Sequence, residues 1–263
     1  MKPLDAWRII ANVCVRTRRL LSKGGPVLSK PIVSKTSWMA RRWVSYAFGL
    51  FLVALSVSFS VKSALGISPA SSIAYVASLI NGWSMGTWTA ISYSLFVLLQ
   101  ALLKGRAFEM KNILQIPVSL AFGVIVDGTN LLLTLLPDAT TYPVQLLYLA
   151  ISLIIMGFGY VYYLPPDIIS LPSEGVMQAI AYRFHLKNST AKLIWDPLCV
   201  AVTIGLSFAF LGGLVGIREG TIVAAVGNGL AMKFFMKLFK ERLSDPLLGE
   251  PHETASGPSP ALL

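Results

Sequence analysis

Six apolar runs, at residues 44 to 65, 84 to 103, 113 to 136, 143 to 164, 193 to 217 and 220 to 238, alternate with short polar or glycine- and proline-marked breaks. A helix crosses the ~30 Å hydrocarbon layer of a bilayer in roughly 20 residues, so each run predicts a membrane-spanning helix. The runs fall into two triplets with one plan: a span, a break, a short helix opened by proline, then two more spans. The first triplet occupies residues 44–136, with its break at Gly66-Ile67-Ser68-Pro69. The second occupies residues 137–243, with its break running from Pro165-Pro166 to Leu171-Pro172. Three crossings are an odd number, so the second triplet enters the membrane from the opposite side. The expected fold class is an all-α membrane protein of six transmembrane helices, arranged as two inverted three-helix repeats, each with a short proline-led broken or re-entrant helix.

The likeness lies more in plan than in residues. Sliding Ser68–Val97 onto Leu171–Val200 without a gap pairs Pro69 with Pro172, Thr87 with Thr190, Ile91 with Ile194, Leu95 with Leu198 and Val97 with Val200. Composition agrees with a membrane protein: 55% of the residues are hydrophobic and 13% charged, against roughly one-quarter charged in a soluble domain. The mean hydropathy is +0.68.

Charge adds orientation. Lys and Arg collect in short cytoplasmic loops, and here ten precede the first span, from Lys2 to Arg42. Lys104, Arg106 and Lys111 follow span two, Arg183, Lys187 and Lys192 follow span four, and Lys237, Lys240 and Arg242 close the last span. The opposite segments 66–83 and 137–142 carry none, and the third has Arg218. The expected location is therefore the inner (plasma) membrane with both termini cytoplasmic. The net charge of +10 is accounted for by these flanking positions, and no nucleic-acid-binding motif accompanies it. Cys14 and Cys199 imply no disulfide framework.

Residues 1–43 form a basic segment in which 4–23 read as an amphipathic helix, with Arg8, Arg16, Arg19 and Lys23 on one stripe and Ile10, Val13 and Leu20 on another. Its partner would be anionic lipid headgroups. A basic tail that merely enforces orientation is the alternative, and a transit peptide is disfavoured because nothing resembles a cleavage region. Residues 244–263, with four prolines, have the composition of a disordered cytoplasmic tail.

Pro69 and Pro172 stand where proline costs a helix no hydrogen bond, at its first position. Ser68 is the natural N-cap of a helix over 69–80, with Ser71 and Ser72 near its free amides. The counterpart over 172–184 has Ser173 and Glu174 in its first turn, where a carboxylate meets the positive end of the helix dipole. Both helices are too short to cross. Either both lie in the interface, or both dip in and bring their amino ends together near the midplane.

Two acids fall well inside a span, Asp127 and Asp196. Insertion scales put the cost of a mid-helix Asp at about 2.5 to 3.5 kcal/mol, so each needs protein, water or a cation as partner. Asp127 has Asn130 on its face. Asp196 lies near Lys192, with which it can form an ion pair at the rim. The candidate substrate or ion pathway is thus Asp127, Asp196, Asn130, Ser68, Ser71, Ser72, Ser173 and Glu174. Lys62 is expected to snorkel to the headgroups. Tyr93, Gln100, Gln115 and Asn228 read as ties between helices. Ser56, Ser58 and Ser60 cannot share one helical face, so some of them are expected to bond their own backbone.

Leu65-Gly66-Ile67-Ser68-Pro69, Gly82-Trp83-Ser84-Met85-Gly86-Thr87-Trp88, Asp127, Asp196 and Gly220-Thr221 together resemble the YczE/YitT-like group of uncharacterised bacterial membrane proteins, over about residues 43–242. Where that group often has Pro-Trp and an acid, this chain has Pro69-Ala70-Ser71. The resemblance implies a six-span bacterial inner-membrane protein and a transport role, with no settled substrate. No nucleotide cradle, metal cluster or nucleophile–base arrangement suggests an enzyme, and no cofactor is expected. The function expected is a transporter or facilitator of a small solute driven by gradients or a separate subunit. The alternative is a non-transporting accessory protein that binds a partner at the cytoplasmic face. A homo-oligomer is left open.

Overall fold

A computed structural model describes residues 35–239. The expected amphipathic helix at 4–23, Cys14 and the tail 244–263 lie outside the described residues, as does the partner-binding role assigned to the basic N-terminal segment. Among the described residues there are eight α-helices and no strand: α1 (Lys35–Ser63), α2 (Pro69–Asn81), α3 (Met85–Lys104), α4 (Gln115–Leu133), α5 (Tyr142–Tyr163), α6 (Pro172–Arg183), α7 (Asn188–Leu206) and α8 (Glu219–Phe239). Two 3₁₀ turns link α3 to α4, and a π-helical turn, Ser207–Leu211, extends α7. Six helices are long and apolar enough to cross a membrane, and they correspond to the six runs. The chain is a multi-pass membrane protein.

The boundaries depart from the apolar runs where amphipathic ends continue the helix. α1 begins nine residues before its apolar run, because its first turns carry interface chemistry: the Arg42 guanidinium stacks 4.6 Å from the Trp38 ring centroid and donates to the Pro166 carbonyl. α7 begins at Asn188 rather than 193 and carries Pro197 in its interior.

Ser56, Ser58 and Ser60 tie α1 to three neighbours. Ser56 Oγ donates to the Ser152 carbonyl at 2.8 Å and Ser152 Oγ donates back to the Ser56 carbonyl at 2.9 Å, joining α1 to α5. Ser58 meets Thr129 of α4 at 2.8 Å, and Ser60 donates to Gly66 O at 3.1 Å. The expectation that some would bond their own backbone is corrected. Each faces a different neighbour because their spacing turns them to different sides of the helix, where a buried acceptor is at hand. Lys62 likewise does not simply snorkel; it pairs with Asp138, in the loop before α5.

α2 packs on α3 and α7, and α6 packs on α7 and α3. α4 lies along α3, with Gly86 against Gly123: a Cβ on Gly86 would sit 2.0 Å from the Gly123 carbonyl oxygen, so that crossing admits no side chain. α8 lies along α5.

The irregular segments before the short helices, residues 64–68 and 164–171, are partly buried: Leu65 and Ile67 are 0% and 2% exposed and Leu171 4%, while Ala64 and Asp167 reach the surface. Non-helical backbone away from water must find its partners within the protein. Gly220 N–H donates to Leu65 O at 2.9 Å and Arg218 Nη1 to Ala64 O at 3.2 Å. On the other segment Tyr46 donates to Ile169 O at 2.8 Å, and the Leu171 N–H donates to the Tyr163 hydroxyl.

Candidate functional site

The first turns of α2 and α6 open into one cavity of about 90 Å³. Ser68, Ser71, Ser173, Glu174 and Asp196 of the sequence-derived set all line it. Residues from the middle of α1 and α5, Val53, Val57 and Met156, give it an apolar wall, and α8 closes it with Ala224, Ala225 and Asn228. Since about 10 to 15 Å³ of such space is needed for one water, the volume accommodates roughly six water-sized atoms.

Proline at the first position fixes where each short helix begins, and neither helix is capped by a side chain. Ser68 occupies the N-cap position of α2, but its hydroxyl bonds Ser71 Oγ at 3.2 Å instead of a backbone amide. The N-cap of α6 is Leu171, which has no group to offer. The Ser71 and Ser72 amides bond Ser68 O, and the Glu174 and Gly175 amides bond Leu171 O. The second amide of each helix, at Ala70 and at Ser173, donates to no acceptor among the described residues. Both residues line the cavity. One side chain stands between the two helix ends: Tyr93 of α3 lines the cavity with Ser71 and Ser173, and its hydroxyl faces both.

Glu174 lines the cavity from the first turn of α6 and accepts a hydrogen bond from Tyr163 at 3.1 Å. α6 is not among the six spans, and burial of its first turn pushes the Glu174 carboxyl from 4.5 up to about 7, against smaller opposing effects of the Tyr163 bond and the Lys192 charge. Asp196 and Lys192, one turn apart on α7, form an ion pair at 2.7 Å, as their spacing suggested.

Three candidate residues lie elsewhere. Ser72 is fully buried and turned to Thr203 of α7, 2.9 Å away. Asp127 of α4 holds the amino end of α3: Gly86 N–H donates to Oδ1 at 2.7 Å and Ser84 Oγ to Oδ2 at 2.6 Å. A carboxylate there complements the helix dipole, and it borders a second, shallower groove between α3 and α4. Asn130 donates to Met85 Sδ at 3.7 Å.

Sequence reasoning missed Trp195, Tyr160 and Tyr163, and it treated Tyr93 and Asn228 only as helix ties. Trp195 is 5% exposed, lines the cavity, and its indole Nε1–H has no hydrogen-bond partner. A signal was available: tryptophan ordinarily sits at the ends of spans, whereas Trp195 stands inside one beside an acid.

No solved structure matches the chain. A curated relative from Haemophilus influenzae, described as an uncharacterized protein, is 25% identical over 215 residues, which cover 79% of this chain and 92% of the relative. A family model described as a family of unknown function (DUF6198) matches residues 40–237, and the chain belongs to that family.

Proposed function

We propose that the protein is a transporter or facilitator of a small solute, built as two inverted repeats around the cavity at the amino ends of α2 and α6. The observation that carries this reading is that both proline-led helices, each preceded by a partly buried irregular segment, begin at one cavity and leave an amide free there. Interrupted helices whose positive ends meet at a central site are the recurring means by which secondary transporters bind solutes.

Reciprocal contacts support the repeat. Pro69 and Pro172, Ala70 and Ser173, Ser72 and Gly175, Gln100 and Thr203 are pairs 103 positions apart. Ser72 bonds Thr203, and Gly175 lies directly against the Gln100 amide, 2.4 Å from where its Cβ would be. The exchange of α2 with α6 and α3 with α7 maps these contacts onto one another, and the mutual Ser56–Ser152 bonds suit a two-fold axis between α1 and α5. Neither the Lys and Arg asymmetry nor the likeness to the YczE/YitT-like group conflicts with an inner-membrane protein whose termini are cytoplasmic.

The halves differ where the cavity lies. In the first, Tyr93 of α3 stacks on Phe122 of α4, ring centroids 5.8 Å apart and 6° from parallel. The residues 103 positions later are Asp196 of α7 and Ala225 of α8, which leave space in place of two rings. In a transporter of this type one access state becomes the other when the halves exchange arrangements, so α8 closing on α7 is the movement the reading requires.

Reconstitution in proteoliposomes, with uptake of labelled small solutes measured under proton and sodium gradients, tests it. Uptake that Ala225→Phe blocks, with the variant still folded, is the expected result. No uptake of any solute, or uptake that the added ring leaves unchanged, counts against transport through this cavity.

A further inference from the structure

We propose that Glu174 is a proton-binding site of the cavity, and that the Lys192 ammonium passes from Asp196 to Glu174 whenever that proton leaves. The inference deepens the transport reading, rests on the same cavity, and makes the proton its coupling ion. Its ground is the way three charged side chains share one space. Glu174, Lys192 and Asp196 all line the cavity, yet the ammonium is committed to Asp196 at 2.7 Å. Glu174 is in no ion pair among the described residues. Its one side-chain hydrogen bond comes from Tyr163, at 3.1 Å to Oε2, and Oε1 has no partner among the described residues.

A carboxylate held out of bulk water without a cation is costly, and it escapes the cost by taking a proton. Burial accordingly raises the Glu174 carboxyl to about 7, while the Lys192 charge pulls the other way. Two carboxylates and one ammonium leave a single surplus negative charge, which one proton cancels. With the proton on Glu174 the ammonium belongs to Asp196, as observed; once the proton has gone, both carboxylates compete for it. Lysine suits the exchange, since its ammonium is a point charge on a flexible stem. The other titratable groups facing Glu174 are the phenols of Tyr46 on α1, Tyr93 on α3, and Tyr160 and Tyr163 on α5, whereas α2 and α8 line the cavity with none. Phenols ordinarily titrate near 10, so the carboxyl is the group that changes charge near neutrality. The O–H bond formed on Glu174 takes its proton from water on one side of the membrane and returns it to water on the other, with no electron transferred. Glu174 stands on α6 and its competitor pair on α7, so the exchange ties proton occupancy to the position of one helix against the other.

Infrared titration of the full-length protein in detergent from pH 5 to 9 tests this through the C=O stretch of a protonated carboxyl. Expected is a band lost with a midpoint of about 7 and missing in Glu174→Gln. Lys192→Gln should raise the midpoint by about one pH unit, a roughly 10-fold tighter hold on the proton, and Asp196→Asn, which releases the ammonium to Glu174, should lower it by a similar amount. Both of these variants keep Glu174 itself, so the test survives a Glu174→Gln that does not fold. Absence of the band, a band that Glu174→Gln retains, or a midpoint that fails to move in opposite directions in the two variants overturns the inference. In the proteoliposomes, uptake driven by an imposed proton gradient is expected; uptake driven by a sodium gradient alone removes the proton as coupling ion and leaves transport standing. If the band and both shifts are found while no solute crosses, the proton site stands and the transport reading falls.

Discussion

Glu174→Gln separates a buried acid from an ordinary surface one. The carboxyl titrates at about 7 in the folded protein against 4.5 ordinarily, chiefly because burial disfavours its charge. Below pH 4.5 it is protonated whether the chain is folded or not, and its contribution to stability is fully present. As pH rises from 4.5 to 7 the unfolded chain gives up the proton first, so stability falls, and the loss is complete above 7. The interval is worth at most about 3 kcal/mol at 1.36 kcal/mol per unit, or about 6 to 12 °C in melting temperature for a chain of this size. Facing Glu174 are the phenols of Tyr46, Tyr93, Tyr160 and Tyr163, the Lys192 ammonium and the Asp196 carboxylate. Phenols and ammonium groups ordinarily titrate near 10, outside the window, and Asp196→Asn is the control for the remaining carboxylate. The assay is the melting temperature of the detergent-purified protein from pH 5 to 8. The wild type should melt lower as pH rises, and Glu174→Gln should flatten that slope and melt higher above pH 7. Parallel curves for the two proteins, or a wild type that gains stability toward pH 8, would refute the placement of Glu174 in a desolvated site.

Three further outcomes are open to the same assay. Gly86→Ala should destabilise by about 3 kcal/mol, since its Cβ would stand 2.0 Å from a backbone oxygen that cannot yield; Gly128→Ala, on the same bundle but with nothing within 4 Å, should be neutral or gain up to about 1 kcal/mol. Asp127→Asn should cost about 1 kcal/mol by weakening the cap on α3 and leave solute uptake intact; abolished uptake in a folded variant would return Asp127 to the pathway. A double-mutant cycle of Ser72→Ala and Thr203→Ala should give a coupling of about 1 kcal/mol, and additivity would mean the hydroxyls do not bond.

Much of this organisation was legible in the sequence because it rests on periods and breakers. The six spans follow from unbroken apolar runs, Pro69 and Pro172 mark the starts of both short helices, and the Lys192–Asp196 pair follows from helical spacing. What escaped depends on how distant segments cross. Asp127 looks like an isolated buried acid until Gly86 meets Gly123, which brings the amino end of α3 within reach of its carboxylate. Ser71 and Ser72 are adjacent in the chain, yet one faces the cavity and the other Thr203, a division set by where α7 packs. Trp195 reads as one more apolar residue of α7, and that its N–H is left without a partner depends on which side chains pack around it. Ser68, placed correctly as the cap residue, turns its hydroxyl to Ser71, so the amide it was expected to satisfy is left for something else.

The convergence of the two short helices is open to one direct measurement. Ser71 and Ser173 line one cavity of about 90 Å³ and both face the Tyr93 hydroxyl, so cysteines replacing them in a background without Cys14 and Cys199 should be bridged by a short dithiol-reactive cross-linker in proteoliposomes. A control pair further along the same helices, Ser78→Cys with Gln178→Cys, should not be bridged. Efficient cross-linking of the first pair within a single chain, reduced when the cavity is filled by Ala225→Phe, is the expected result. Failure to cross-link the first pair, or equal reaction of both pairs, would mean that the helix ends do not meet and that the cavity on which the transport reading rests is not there.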